Sequence, residues 1–490
     1  VAGRGAAAHR PPALAVRLGR GPLVGIVAGL LLVGTFVDRT RPGPAAPSGA
    51  AEEASVMPTA APASALSSTF YCAGATVSAA GANAGSVVVA NPRNQEARGS
   101  VTVFTTNAPP RVVPLAVAPA SVAEVSLGQL GVGIAAAAVV DLQAGQVAAE
   151  LSVSGPQADG GVTPCASSGS GQWYFADAST ARDASLLLSL FNPFPEDAIA
   201  DMSFGSDQGR AAPGDLQGVV VPARSLVVLD IGEQVRRRES IATALTVRTG
   251  RLVATQTLGR TAPGRAGTSV TLGAPSLAPL SYFPDGLTAD GIVERYSVYN
   301  PGPREAEVTL EVNLDEGVAE PFEIRVPAGD RVTVTLNEEA RIPKGVGHST
   351  TVRSSNGVSI AVTRTVEAAA PTRSGRADTL GARRASKRWI FPAGGTSQSV
   401  DEVVVVQNPG TTPASVSLTG LTGGQEVAFP QFQGVTIEPG RRQVFRIGDA
   451  LRRAPLPVVV NASSEVVAER AVYLTGRTGG LSAVMGIPLE

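Results

Sequence analysis

The sequence predicts an all-β protein: four tandem immunoglobulin-like β-sandwich repeats behind one N-terminal transmembrane helix and a disordered stalk. Three observations predict it. An Asn-Pro pair closes an apolar run four times, at Asn91-Pro92, Asn192-Pro193, Asn300-Pro301 and Asn408-Pro409, with spacings of 101, 108 and 108 residues. Runs such as AEVTLEVNL and RVTVTLN alternate apolar and polar with period two, the mark of strands with one buried face. A single apolar run, Leu23 to Val37, stands before all of this, preceded by Arg4, Arg10, Arg17 and Arg20.

That run reads as a signal anchor. Its helix would rise about 1.5 Å per residue and cover roughly 23 Å of a hydrocarbon core about 30 Å thick. Flanking arginines snorkel to make up the difference. The basic residues 1–22 predict a cytoplasmic tail, with the body on the other side of the membrane. The alternative is a cleaved signal peptide and a secreted product. No small-x-small triplet ends the run, although Ala45-Ala46-Pro47 lies beyond it. Residues 38–67 are rich in Pro, Ala and Ser and read as a semi-extended stalk.

The repeats divide as residues 68–166, 167–277, 278–384 and 385–490. Each begins with an aromatic opener: Phe70-Tyr71, Trp173-Tyr174-Phe175, Tyr282-Phe283, and Trp389-Ile390-Phe391. These openers, Trp173 and Trp389 above all, read as core plugs. Pro119, Pro222, Pro327 and Pro439 recur between later strand-like runs, and a Gly-x-Pro step follows the closing strand at Gly273 and Gly486, degenerate at Gly381. Turn residues separate the runs as in two-sheet sandwiches. Strand order stays open. A propeller blade needs about 40–50 residues, too few for this spacing. Pro cannot donate to a ladder, so Asn-Pro stops pairing and starts a turn in which the Asn side chain bonds nearby backbone.

Composition narrows the function. Lys plus Arg is 40 and Asp plus Glu is 41, a balance that argues against a nucleic-acid partner. Six of those bases and one acid fall in the first 41 residues, which leaves 34 against 40 beyond them. Two Cys and two His exclude zinc fingers and iron–sulfur clusters. Outside the membrane, Cys72 and Cys165 favour a disulfide over two free buried thiols. It would tie the start of the first repeat to its end, with a chain-entropy gain of about 4–5 kcal/mol. His9 lies in the predicted cytoplasmic tail, and His348, in KGVGHSTT, reads as a solvated loop residue. The segment Gly205-Ser206-Asp207-Gln208-Gly209 misses the G-x-S-x-G pattern. A paired-carboxylate glycosidase needs only two acids; Asp315, Glu316, Glu320, Glu323, Glu338 and Glu339 are candidates by count. No catalytic, cofactor or metal site is predicted. Arg373, Arg376, Arg383, Arg384, Lys387 and Arg388 form a basic cluster that reads as a solvated inter-domain linker, with binding of an anionic envelope polymer as the alternative.

The segments FYCAG, CASSGSGQWYF, SLFNPFPEDA and VVVPARSLVVLDIGE resemble an actinobacterial family of uncharacterised secreted or membrane-anchored envelope proteins, defined by a domain of unknown function. This sequence has Phe70 where that family would have Trp. The resemblance implies no activity and no assigned residue. Members of that family are often encoded near a large membrane glycosyltransferase, so the resemblance implies envelope glycan work. The expected function is therefore a non-enzymatic, single-pass envelope scaffold or interaction protein, four sandwiches forming a rod. The alternatives are a glycan-active enzyme, an accessory subunit of a glycosyltransferase system, or a lectin-like binder. Oligomeric state stays open.

Overall fold

The computed structural model of the chain describes residue 3 and residues 58–76, 85–106, 108–130, 135–154, 160–370, 373–474 and 480–489. The predicted anchor, tail and stalk up to residue 57 otherwise lie outside the described residues. Among the described residues, no helix is long and apolar enough to cross a membrane.

Everything described from Pro58 on is antiparallel sheet apart from short turns, isolated bridges and single helical turns. The first sandwich has β1 (Ser68–Thr76), β2 (Ser86–Asn91), β3 (Ala97–Thr105), β4 (Ala108–Val117), β5 (Ser121–Ser126), β6 (Ala135–Leu142), β7 (Ala148–Ser154) and β8 (Gly160–Pro164). The second has β9 (Gln172–Phe175), β10 (Ala184–Asn192), β11 (Ala198–Ser206), β12 (Gly209–Ala211), β13 (Val219–Val221), β14 (Ser225–Asp230), β15 (Ile241–Thr249), β16 (Val253–Arg260) and β17 (Gly267–Leu272). The third has β18 (Leu280–Phe283), β19 (Ile292–Asn300), β20 (Ala306–Leu314), β21 (Phe322–Val326), β22 (Asp330–Thr335), β23 (His348–Ser354), β24 (Ala361–Ala370) and β25 (Arg373–Leu380). The fourth has β26 (Ser386–Phe391), β27 (Val400–Gln407), β28 (Ala414–Thr422), β29 (Gln425–Ala428), β30 (Val435–Ile437), β31 (Arg442–Arg446), β32 (Val458–Leu474), β33 (Gly480–Met485) and β34 (Ile487–Pro488).

One strand order recurs. The first sandwich pairs β1-β6-β3-β4 and β5-β2-β7-β8. The third repeats this as β18-β23-β20-β21 and β22-β19-β24-β25. The second follows the same plan with its fourth strand split into β12 and β13. In the fourth, the 17-residue β32 runs through both sheets and joins them. This is not the A-B-E-D and C-F-G order of immunoglobulin constant domains. Each sheet pair encloses its own core, as where Val87 and Val89 of β2 meet Phe70, Val103 and Ala138 of the facing sheet.

The sandwiches form a closed ring, which corrects the expected rod. Their last strands meet around one axis: β8 lies beside β17, β17 beside β25, β25 beside β33, and β33 beside β8. Leu272 N donates to Thr163 Oγ1 at 2.8 Å, Thr379 Oγ1 to Ala483 O at 3.4 Å, and Val162 N to Ser482 Oγ at 3.0 Å. Ser269 Oγ is hydrogen-bonded to the Asp378 carboxylate. The backbones approach closely enough that a Cβ on Gly375, whose φ is +127°, would lie 2.5 Å from Leu481 N. Apolar residues fill the seams between neighbours, Tyr174 with Tyr299 at one, Ala377 with Leu481 at the next. The ring closes where Ala60 pairs in parallel with Leu489, Ala60 N donating to Pro488 O at 3.0 Å. Ala60 is buried with Ala90 and Ala148 of the first sandwich and Ile390 and Val459 of the fourth. Residues 58–60, read as part of a disordered stalk, thus belong to the seam, with Ala60 fully buried, whereas residues 62–64, 66 and 67 are exposed.

Candidate functional site

The axis ends in a cleft of about 140 Å³ to which all four sandwiches contribute. Its walls are Val162, Thr163 and Pro164 of β8, Val270–Leu272 of β17, Asp378–Leu380 of β25 and Ala483–Met485 of β33. Trp389 and Ile360 add apolar surface, and Pro58, Ser276, Arg383 and Arg384 complete the lining. The site forms because each closing strand turns one face to its own core and the other to the axis. Arg383 Nη1 donates to Ser276 O at 3.2 Å and to Ser276 Oγ at 2.5 Å. Arg384 Nη2 donates to Thr59 Oγ1 at 3.2 Å. Burial pushes the Arg383 guanidinium down, to about 10.

Charged groups that sequence reasoning did not single out are locked into the seams. In the fourth sandwich, Arg470 of β32 lies inside its own core end, 5.4 Å from the Phe391 ring centroid. Its Nη2 reaches Glu150 Oε2 of β7, in the first sandwich, at 3.2 Å. Ala393 N donates to the same oxygen at 2.7 Å, and Gly395 N donates to Glu402 Oε2 of β27 at 2.7 Å. The third sandwich repeats this one place earlier. Arg364 Nη2 of β24 donates to Glu469 Oε1 of the fourth at 2.6 Å. Asp285 N donates to Glu469 Oε2, and Leu287 N to Glu294 Oε2, each at 3.1 Å. Register makes the two sets equivalent: Arg364 stands opposite Tyr296, four residues before Asn300, and Arg470 opposite Val404, four before Asn408. The corresponding residues are Leu151 and Gln256 in the first and second sandwiches.

Ionisation follows the surroundings. Burial raises Glu150, Glu402 to about 7 and Glu469 to about 8, against the pull of Arg470 or Arg364. Burial also acts to raise Glu294, but His348 and Arg364 outweigh it and bring it to about 2. His348 Nε2 lies 3.0 Å from Glu294 Oε2, and both side chains are fully buried. This corrects the reading of His348 as a solvated loop residue: it opens β23, and its neighbours Ser349 and Thr350 are buried with it.

The basic cluster is corrected as well. The stretch read as a linker is the hairpin of β24 and β25 followed by β26. Arg376 is buried and bridges Glu367 at 2.6 Å and Asp378 at 2.7 Å, and its Nη2 lies 3.5 Å from Asp177 of the second sandwich. Arg331 reaches Asp177 at 3.1 Å. Arg376 is thus paired within a seam, while Arg373 lies 4.2 Å over the Tyr473 ring, Arg388 Nε donates to Asn461 Oδ1 at 3.0 Å and Lys387 is exposed. Of the counted acids, Glu316, Glu320, Glu323 and Glu338 are exposed and Glu339 is half-buried. Asp315 is held by Arg442, Nε to Oδ1 at 2.8 Å and Nη2 to Oδ2 at 2.9 Å. Gly205–Gly209 is the β11–β12 hairpin.

The recurrent anchors serve shape. All four Asn side chains are fully buried. Asn300 Nδ2 donates to Arg304 O at 2.7 Å and Val326 O at 3.0 Å, while its Oδ1 accepts from Gly302 N at 3.1 Å. Asn91, Asn192 and Asn408 make the same bonds to Gln95, Glu196 and Thr412. Pro92, Pro193, Pro301 and Pro409 follow directly and are only partly buried. Trp173 and Trp389 are core residues whose Nε1 donates to Leu252 O at 3.0 Å and Val466 O at 2.9 Å. Cys72 and Cys165 are disulfide-bonded. What the sequence did carry, unread, was an arginine inside each of the apolar closing runs AVTRTVE and VVAERAV.

Fold and site together define an all-β protein built as a ring of sandwiches around an axial apolar cleft. The chain belongs to the Family of unknown function (DUF5719), which matches residues 160–346 and 349–474. No curated protein matches it. Among solved structures it is similar to Thermotoga maritima 1070, at 18% identity over 22% of this chain and 94% of that one, with a TM-score of 0.20. It is also similar to the Anabaena sensory rhodopsin transducer, at 21% identity over 18% of this chain and 94% of that one, with a TM-score of 0.16. A GH2 beta-galacturonidase from Eisenbergiella tayi matches at 10% identity over 63% of this chain and 44% of that one, with a TM-score of 0.14.

Proposed function

We propose that the chain is a non-catalytic, single-pass envelope protein of actinobacterial type, held at the membrane by residues 23–37, whose ring binds a partner in the axial cleft. The observation that carries this reading is the cleft itself: concave, mostly apolar, and shared by all four sandwiches. The carboxylates whose ionisation is most displaced, Glu150, Glu294, Glu402 and Glu469, support it by their place. They are fully buried, Glu150 and Glu469 bonded across seams and Glu294 and Glu402 within their own sandwiches, out of reach of a glycan substrate. An apolar lining favours a hydrocarbon-bearing component of the envelope, or an apolar segment of a membrane glycosyltransferase, over a bare glycan.

The test is to purify the full chain from membranes and analyse its organic extract by mass spectrometry. A stoichiometric hydrocarbon-bearing component is expected, lost when Leu380→Trp fills the cleft. Hydrolysis or transfer of envelope glycan by the same preparation, abolished by a carboxylate substitution that leaves the fold intact, would overturn the reading in favour of an enzyme.

A further inference from the structure

Two carboxylates at the seam between the first and fourth sandwiches, Glu150 and Glu402, have one cation between them. Both hold the same short segment of the fourth sandwich: Ala393 N donates to Glu150 Oε2 and Gly395 N to Glu402 Oε2, each at 2.7 Å. Two residues of chain span at most about 7 Å, so the carboxylates are neighbours. Arg470 completes the cluster. It reaches Glu150 Oε2 at 3.2 Å, and on the ladder it stands opposite Val404, diagonal to Glu402, which stands opposite Val472. All three side chains are buried, and Oε1 of each carboxylate and Nε and Nη1 of Arg470 lack hydrogen-bond partners among the described residues. Charges on the segments packed around them are engaged elsewhere: Asp401 with Arg446 at 3.5 Å, Arg388 with Asn461 at 3.0 Å. Glu124, Lys387, Arg452 and Arg453 are exposed. Two ionised carboxylates beside one guanidinium leave a net charge in a buried place, which a bound proton removes. Burial accordingly raises Glu150, and holds Glu402 at about 7, against the pull of Arg470.

We propose that Glu150, Glu402 and Arg470 form a proton-operated latch on the ring: the seam between the first and fourth sandwiches is closed while the two carboxylates share one proton and loosens when both are charged. At the other three seams the sandwiches that meet are consecutive along the chain; here they are joined by the pairing of Ala60 with Leu489. Here too β33 lies beside β8, and both are walls of the cleft. Loosening this seam therefore widens the cleft, whatever the cleft binds. The seam between the third and fourth sandwiches is better supplied with cations, Arg364 lying 2.6 Å from Glu469 and Arg442 3.2 Å from Asp285. In an open seam the carboxylates meet water and release the proton above their ordinary value of 4.5. Closure is therefore strongest below 4.5, weakens as pH rises and levels off above about 7.

The experiment is amide hydrogen exchange on the full chain, with the intrinsic pH dependence of exchange divided out. The reporters are Ala60 N and Val162 N, which bond across this seam to Pro488 O and Ser482 Oγ. The control is Leu272 N, bonded to Thr163 Oγ1 across the seam between the first and second sandwiches. Between pH 5 and 7.5 the protection of Ala60 and Val162 should fall by about tenfold or more, and that of Leu272 by no more than about twofold. Glu402→Gln and Glu150→Gln each leave one carboxylate facing Arg470, so each should keep the seam closed and abolish its pH dependence. The double variant strands Arg470 and should lose about tenfold in protection at every pH. Protection that is flat at Ala60 and Val162, or that falls equally at Leu272, would overturn the latch. A fall that survives both single substitutions would overturn its assignment to this cluster. A double variant as well protected as the single ones would overturn the charge balance on which it rests.

Discussion

Cys72 is bonded to Cys165 in the place where, one sandwich later, the Phe175 ring lies against Gly273. The bridges Tyr71 to Ala166 and Tyr174 to Ala274 fix the equivalence, and Tyr282 to Ala382 extends it to Phe283 and Gly381. A Cβ on Gly273 would lie 2.8 Å from the Phe175 ring, and one on Gly381 2.7 Å from Phe283. The disulfide and the Phe-on-Gly contact are two solutions to one packing position. Replacing both cysteines by Ala should cost about 2–5 kcal/mol. Cys72→Phe with Cys165→Gly should recover at least about 1 kcal/mol of that, because a ring refills the space. Denaturant unfolding measures both; a Phe/Gly pair no better than Ala/Ala would refute the equivalence.

The same geometry makes Gly381 intolerant of a side chain. Gly381→Ala would press a methyl group into the Phe283 ring and, at 2.7 Å, into Ser281 Cβ. Overpacking of this kind costs about 1–3 kcal/mol. A midpoint unchanged from the parent chain would count against the contact.

Asn300 donates to Arg304 O and Val326 O from a fully buried site. Asn300→Asp removes the donor and sets acceptor against acceptor. Each orphaned buried group costs about 1–3 kcal/mol, so a loss of about 2–4 kcal/mol is expected. Asn300→Asp should therefore fall below Asn300→Ala in urea midpoint, the reverse of what a loop-exposed asparagine would give.

Stability should decline as pH rises through neutrality. Glu402 and Glu469 are raised to about 7 and about 8 in the fold from an ordinary value of 4.5. Between those limits the folded chain holds more protons than the unfolded one, so stability is greatest below 4.5 and is lost as pH climbs through 7 and 8, at no more than about 1.4 kcal/mol per pH unit per group. Glu294, lowered to about 2, acts oppositely: its contribution is present above 4.5 and is lost as pH falls through 2. Thermal midpoints from pH 5 to 9 should fall, and Glu402→Gln should flatten the slope. A midpoint that rises across this range would contradict the buried placement.

The closed arrangement has its own measurement. A chain lacking residues 1–57 should scatter X-rays with a radius of gyration of about 22 Å, and a rod of four sandwiches should give roughly double that. Disrupting the closure with Ala60→Asp should raise the value.

How far the sequence reached follows from the range of each interaction. The Asn-Pro corners, the period-two runs, the Trp plugs and the Cys pair were all readable, because each is decided by neighbours along the chain or within one sandwich. The ring left a weaker trace. Runs such as SVVVAN, all six residues of β2 buried, are apolar on both faces and therefore imply a second covering surface. They do not say which surface. Arg376 and His348 looked like solvated loop residues because a charge in isolation belongs in water. Only the tertiary structure brings Glu367 and Asp378 to the one and Glu294 to the other, and so makes burial cheaper than exposure. The axial cleft is likewise a product of four distant strand ends, β8, β17, β25 and β33, converging on one line. Pairing within a sandwich was written locally; the identity of the neighbour across each seam was set by which faces fit once every strand was in place.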